Sequence, residues 1–247
     1  MAMHQTRSKT RANATGPSSG RVSVTVTGEE VTRRDQVQQH EAPSPSPTGR
    51  LGVEEGYCQL RPVNLRPKTR VGTWKVQTLN TPGKLINVVN EMKRCKISIL
   101  GIAETHWTGS GYFKTDDGQM IVYSGGYERR AGVGVILAKE LANNLLAYEA
   151  VNKRVVRVRI AAKPYNITFI QVYAPTADSD EDEIEAFYNA VQVTINNSPS
   201  QDIMLVGGDF NAKVGEHETE SAVCGRYGLG VQNLAVERVI DFAVKIT

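Results

Sequence analysis

Cysteine is scarce in this chain of 247 residues. Cys58, Cys95 and Cys224 stand far apart, and no two have the spacing of zinc ligands. That excludes a cysteine-built zinc site and fits free thiols in a reducing compartment. Long apolar runs are also missing; none approaches the ~20 residues that a membrane-spanning helix needs. The opening stretch "MAMHQTRSKTRANATGPSSG" has no apolar segment of the secretory kind. The expected location is therefore intracellular, nucleus or cytoplasm, and the sequons at Asn13, Asn166 and Asn196 are expected to be unused. A strong charge of one sign is lacking too. The net charge is +3, but residues 1–70 carry 11 basic and 6 acidic side chains, and the remainder 18 and 20. The basic excess thus lies in the first segment, and the rest exerts no large pull on phosphate.

The chain divides by composition. Residues 1–68 are rich in Ser, Thr, Pro, Gly, Gln and Arg, and "EAPSPSPTGR" reads as a linker. Such a stretch buries too little apolar area to offset its ordering entropy, so a disordered tail is expected. Within it, "VSVTVT" alternates like a strand but has no evident neighbour to pair with. Residues 69–247 have the texture of a folded domain. In "TPGKLINVVNEMKR", Thr81 is expected as N-cap and Pro82 as first helical residue, with Leu85, Val88, Val89 and Met92 on one face. "DSDEDEIEAFYNAVQVTINN" predicts a second helix with an acidic first turn and a stripe of Ile184, Phe187, Tyr188, Val191 and Ile195. Strands are expected in "VGTWKVQTL", "ISILGIAE", "GQMIVYSGG", "GVGVILA", "RVVRVRIAA", "NITFIQVYAPT" and "DIMLVGGDFN". In "RVVRVRIAA", Val156, Val158 and Ile160 face one way and Arg157 and Arg159 the other. Runs of strands with few helices between them predict an α+β domain, its sheets face to face and its helices outside.

Three of these strands end in polar groups of a narrow kind: Glu104, Tyr173, and the pair Asp209 and Asn211. A carboxylate at the mouth of an apolar strand is partly desolvated and needs a partner, and a hard divalent cation is one. Asp209 and Asn211 are two apart, so a strand running through both would aim them into one cleft. Gly207 and Gly208 would leave room for a ligand to approach. A carboxylate that activates water, an amide that holds a phosphate oxygen and a tyrosine that donates to developing charge make a phosphodiester-hydrolysing set.

In this order, "GTWKVQTL", "ILGIAETHW", "GVGVILAKE", "IQVYAPT" and "LVGGDFNAKVG" resemble the endonuclease/exonuclease/phosphatase superfamily. The likeness is greatest to the apurinic-type endonuclease domains of non-LTR retrotransposons and to sequences derived from them. It implies a four-layer αββα sandwich (DNase I-like) and a hydrolase using Mg²⁺ or Mn²⁺ on DNA. By motif match Glu104 would be the metal ligand, Tyr173 would contact the scissile phosphate, Asp209 would orient or deprotonate water, and Asn211 would hold the phosphate. Two departures qualify this. Lys75 stands where the family has an asparagine, and an ammonium cannot ligate a cation; it either takes the cation's place or points to solvent. The family's closing Asp and Ser-Asp-His motifs are not found, since "VIDFA" matches the segment before them, and His106 and His217 read as surface residues. The expectation is a domain incomplete at its C-terminus, with activity low or lost. Two alternatives stand beside it. One is a non-catalytic, retroelement-derived binder of nucleic acid or protein, using its tail and possible phosphate contacts from Arg157 and Arg159. The other is a phosphatase of the same superfamily. No membrane partner is expected.

Overall fold

Short apolar runs and alternating stretches become strands, and the two stretches with a helical repeat become helices, in a computed structural model that describes residues 22–26, 48–50, 62–64, 69–215, 223–225, 233 and 235–246. In chain order the strands and helices are β1 (Val22–Val26), β2 (Thr48–Arg50), β3 (Val63–Asn64), β4 (Val71–Lys75), α1 (Lys84–Arg94), β5 (Ile99–Ala103), β6 (Ser110–Lys114), β7 (Met120–Ser124) and β8 (Val133–Leu137). They continue with β9 (Leu145–Asn152), β10 (Val155–Ile160), β11 (Ala162–Lys163), β12 (Ile167–Tyr173), α2 (Glu181–Asn196), β13 (Ile203–Asp209) and α3 (Ala235–Ile246). One sheet has the order β4-β5-β8-β7-β6 and the other β1-β13-β12-β10-β9-β2, while β3 and β11 form a small ribbon. In the first sheet β4 and β5 are parallel, and in the second β12 and β13 are parallel.

Strand parity sorts side chains into three apolar layers. Between the sheets lie Ile99, Val122, Val133, Val135 and Leu137 from one side, and Val156, Val158, Ile160, Ile167 and Phe169 from the other. The alternate residues Leu100, Ile102, Ile121 and Ile136 pack outward against Val88, Val89 and Met92 of α1. On the far side, Ile170, Val172, Met204 and Val206 meet Phe187 and Val191 of α2 and Val239 and Phe242 of α3. The result is the expected α+β sandwich of helix, sheet, sheet and helices. Each fully buried Phe or Ile in these layers contributes about 1.5–3 kcal/mol.

Several local expectations are corrected. Helix α1 begins at Lys84, not at Pro82, because Gly83 before it adopts φ 83°. Thr81 is not its N-cap; its carbonyl instead accepts the Lys84 N–H at 3.2 Å and closes a turn. "VSVTVT" does have a neighbour, since β1 pairs in parallel with β13 from Val22↔Met204 to Val26↔Gly208. The remainder of the expected disordered tail lies mostly outside the described residues. Strands β6 and β9 and helix α3, none of them anticipated, complete the layers, with "VIDFA" inside α3. Among the described residues no helix is long and apolar enough to cross a membrane.

Candidate active site

The parity that fills the core also builds the site. On β4 the inward positions are Thr73 and Lys75; on β12 they are Phe169, Gln171 and Tyr173; on β13 they include Gly207 and Asp209. Register sets Lys75 beside Ala103 and Tyr173 beside Asp209, so these inward residues arrive at the carboxyl ends of two parallel strand pairs that face each other. Glu104 follows at once after β5, in the left-handed region with φ 60°. A non-glycine residue there is held by its surroundings. The hold is visible: Val76 N–H donates to Ala103 O at 2.9 Å, Thr78 N–H to Glu104 O at 2.7 Å and Leu79 N–H to Thr105 O at 2.9 Å. Gln77, Thr78, His106 and Asn211 also have positive φ, so unusual backbone concentrates at this mouth.

Four of the expected site residues meet. Tyr173 donates its hydroxyl proton to Glu104 Oε1 at 2.5 Å. Lys75 Nζ lies 3.3 Å from Glu104 Oε1 and 3.2 Å from Asp209 Oδ2, and 5.4 Å from the centre of the Tyr173 ring. Lys75 thus takes the space between the carboxylates and does not point to solvent. Asn211 stands beside Asp209: its main-chain N–H donates to Asp209 Oδ1 at 2.9 Å and its Nδ2 to Ala174 O at 2.7 Å. The two do not share a face by strand alternation, as the spacing predicts. The strand stops at Asp209, and Asn211 turns back at φ 49°. Phe210 between them is an anchor, buried against Phe187 with ring centres 6.5 Å apart. The glycines serve the scaffold, not ligand approach. A Cβ at Gly208 would sit 2.0 Å from the Val172 carbonyl oxygen, and one at Gly207 3.1 Å from the Phe169 ring.

Burial governs the electrostatics. The Tyr173 phenol is held far above its ordinary range by burial first, and then by its bond to Glu104 and the charges of Glu104 and Asp209. It remains a protonated donor at any ordinary pH. Burial alone would lower the Lys75 pKa, but the charges and hydrogen bonds of Asp209 and Glu104 outweigh it, and the net shift is upward.

Arg157 and Arg159 do not join this cluster. Arg157 pairs with Glu149 at 2.7 Å and donates to Asn197 O; Arg159 grips Asp202 through Nε at 2.6 Å and Nη2 at 3.0 Å. His106 is half-buried, with its carbonyl accepting from Asn80 Nδ2, and His217 lies outside the described residues. Three contributors escape sequence reasoning. Gln171 is fully buried below the site, within 3.3 Å of Thr73 Oγ1, and ties one sheet to the other. Arg154 donates to Glu183 and to Tyr173 O, fixing the end of β12. Asn233 donates to Asn211 O at 2.9 Å and accepts from Lys213 N–H at 3.0 Å, bracing the loop after β13. Two loops next to the strand ends carry an exposed rim: Tyr127, Arg129 and Arg130 on the β7–β8 loop, and Lys153 on the β9–β10 turn. Main-chain bonds from His106 to Ala131, from Gly132 to Lys153 and from Tyr173 to Arg154 hold that rim against the strand ends.

A family model described as Endonuclease/Exonuclease/phosphatase family matches residues 72–241. Craniofacial development protein 2 from Bos taurus is 44% identical over 173 residues, covering 70% of this chain and 29% of that protein. Its counterpart from Tragulus javanicus is 43% identical over 173 residues, covering 70% and 30%. The chain therefore spans less than a third of the length of these relatives. Among solved structures, the endonuclease domain of TRAS1, a telomere-specific non-LTR retrotransposon, aligns with a TM-score of 0.48 and 16% identity over 72% of this chain and 70% of that one.

Proposed function

Because the chain belongs to the endonuclease/exonuclease/phosphatase family, we propose that the cluster is a phosphodiester-hydrolysing site of endonuclease type, acting on DNA with low turnover. The observation that carries this reading is the meeting of Glu104, Tyr173, Asp209 and Asn211 at one end of both sheets. Asp209 is the base that takes a proton from attacking water; as the water oxygen bonds to phosphorus, the P–O ester bond breaks and the leaving alkoxide takes its proton from solvent. Tyr173, a permanent donor, turns its hydroxyl from Glu104 to the phosphate oxygen on which charge builds. Asn211 steadies the phosphate with the amide proton that Ala174 does not use. The rim of Arg129, Arg130 and Lys153, with Tyr127 among them, supplies charge for backbone phosphates and a ring for stacking.

Members of this superfamily are generally dependent on a divalent metal. The residues here, as arranged, do not fit one. The carboxylate oxygens such an ion would take are those that Lys75 already holds. Among the described residues, no group of three or more His, Cys, Asp or Glu is placed to hold a metal. Use of Mg²⁺ or Mn²⁺ by this chain thus requires Lys75 to leave, and no step is assigned to the ion. The same observation favours a second reading, a binder of nucleic acid without catalysis.

Nicking of supercoiled plasmid by the purified chain, beside Asp209→Asn and Tyr173→Phe, tests the proposal. Slow nicking is expected, falling by about 10²–10⁴ without the base and about 10²–10³ without the hydroxyl donor. Nicking unchanged in Asp209→Asn would refute the assignment. Salt-sensitive DNA binding with no nicking would establish the second reading, and hydrolysis of small phosphate esters alone would establish a phosphatase.

A further inference from the structure

We propose that Lys75 is the resident cation of this site: its ammonium neutralises Glu104 and Asp209 together, and it competes with any divalent ion for the same two oxygens. This deepens the reading of Glu104 and Asp209 as the acidic pair of the site and rests on it. The geometry is specific. Lys75 Nζ is within 3.3 Å of one carboxylate and 3.2 Å of the other, and all three side chains are more buried than exposed, at 29%, 19% and 14% of their free surface. Water screens such a group less than it screens surface pairs. The ammonium is delivered by the last residue of β4, whose pairing with Ala103 fixes its height above the sheet. The Tyr173 ring gives it a third favourable contact.

Charge counting points the same way. Without Lys75 the site would hold two carboxylates facing one gap. Among the described residues no other cation is ion-paired to Glu104 or Asp209, and the nearby Arg154 is committed to Glu183 and the Tyr173 carbonyl. A divalent ion is the usual remedy for such a pair, since hard oxygen ligands suit it. Here a covalently tethered monovalent cation serves, and it leaves the cluster one negative charge in excess. That excess repels phosphate, which accounts for the low turnover proposed above.

The competition is measurable with no nucleic acid present, so this inference and the hydrolase reading fail separately. Free Mn²⁺ is titrated by electron paramagnetic resonance into the full chain, Lys75→Asn and Lys75→Arg. Thermal melts are recorded with EDTA and with Mg²⁺. The unsubstituted chain and Lys75→Arg should bind Mn²⁺ weakly, and their midpoints should not respond to Mg²⁺. Lys75→Asn should bind Mn²⁺ at least about tenfold more tightly, equal to ~1.4 kcal/mol, melt lower in EDTA and recover in Mg²⁺. Adding Asp209→Asn to it should abolish the gain. Equal Mn²⁺ affinity with and without Lys75 would overturn the proposal. If Lys75→Asn does not fold, the unsubstituted chain decides alone: tight uptake of one Mn²⁺, or a midpoint raised by Mg²⁺, refutes the inference, and indifference to both upholds it.

Discussion

Replacing Arg159 with alanine separates two roles that its sequence allows, phosphate contact and structural anchor. The Asp202 side chain is 1% exposed and accepts three hydrogen bonds, two from Arg159 and one from Thr168 Oγ1 at 2.8 Å. Arg159→Ala strips away both charge-assisted bonds and leaves a buried carboxylate with one hydroxyl. Breaking a buried pair on one side costs about 3–5 kcal/mol. Arg159 itself is 31% exposed, so water entering the vacated space offsets part of this. A loss of about 2–4 kcal/mol is expected, or a midpoint lower by about 5–12 °C for a domain of this size. Arg157→Ala is the control. Its pair with Glu149 is partly exposed on both sides, and its loss should cost under about 1 kcal/mol. Urea and thermal denaturation of both variants, with DNA affinity alongside, make the comparison. Asp202→Asn in the Arg159→Ala background should restore stability by removing the stranded charge. The reasoning is refuted if Arg159→Ala melts with Arg157→Ala while DNA affinity drops.

Gly101→Ala should destabilise by about 1–3 kcal/mol through overpacking, because its Cβ would lie 1.7 Å from Gln171 Oε1. In a Gln171→Ala background the added cost should shrink, and a denaturation cycle over the four proteins reads that coupling. Tyr173 makes a pH prediction. Its folded pKa lies above the ordinary 10, so the unfolded chain gives up the proton first. The resulting stability is complete below pH 10 and declines as pH rises toward the folded value. Midpoints measured from neutral to strongly alkaline pH should show this slope, and Tyr173→Phe should make it shallower, the remainder coming from Tyr188, Tyr148 and Tyr123, which burial also raises; an unchanged slope would contradict the burial of the phenol against Glu104.

Local pattern made much of this legible. The apolar stripes of α1 and α2, the parity of β10 and the order of polar strand ends are short-range features, and the structure places them as read. What stayed hidden depends on contacts between distant residues. Parity showed that Arg157 and Arg159 leave the core face, but not that Glu149 and Asp202 wait there for them. Gly207 and Gly208 suggested room for a ligand, yet their smallness is demanded by Phe169 and the Val172 carbonyl, on a neighbouring strand. Asn211 looked aligned with Asp209 through an extended strand, but its main-chain N–H donates to the Asp209 side chain and the chain turns there instead. Lys75 read as a lost ligand that either takes the cation's place or points to solvent; only the meeting of three strand ends puts its ammonium between Glu104 and Asp209.

The most direct test of the account is the rate at which Lys75→Asn nicks plasmid DNA in Mg²⁺, compared with the unsubstituted chain and with Lys75→Asn carrying Asp209→Asn. If Glu104, Tyr173, Asp209 and Asn211 form a phosphodiester-hydrolysing site whose acidic pair Lys75 occupies, Lys75→Asn should cut faster than the unsubstituted chain, and the added Asp209→Asn should remove that cutting. A Lys75→Asn protein that is folded, binds DNA, takes up Mn²⁺ and nicks no faster than the unsubstituted chain would contradict it.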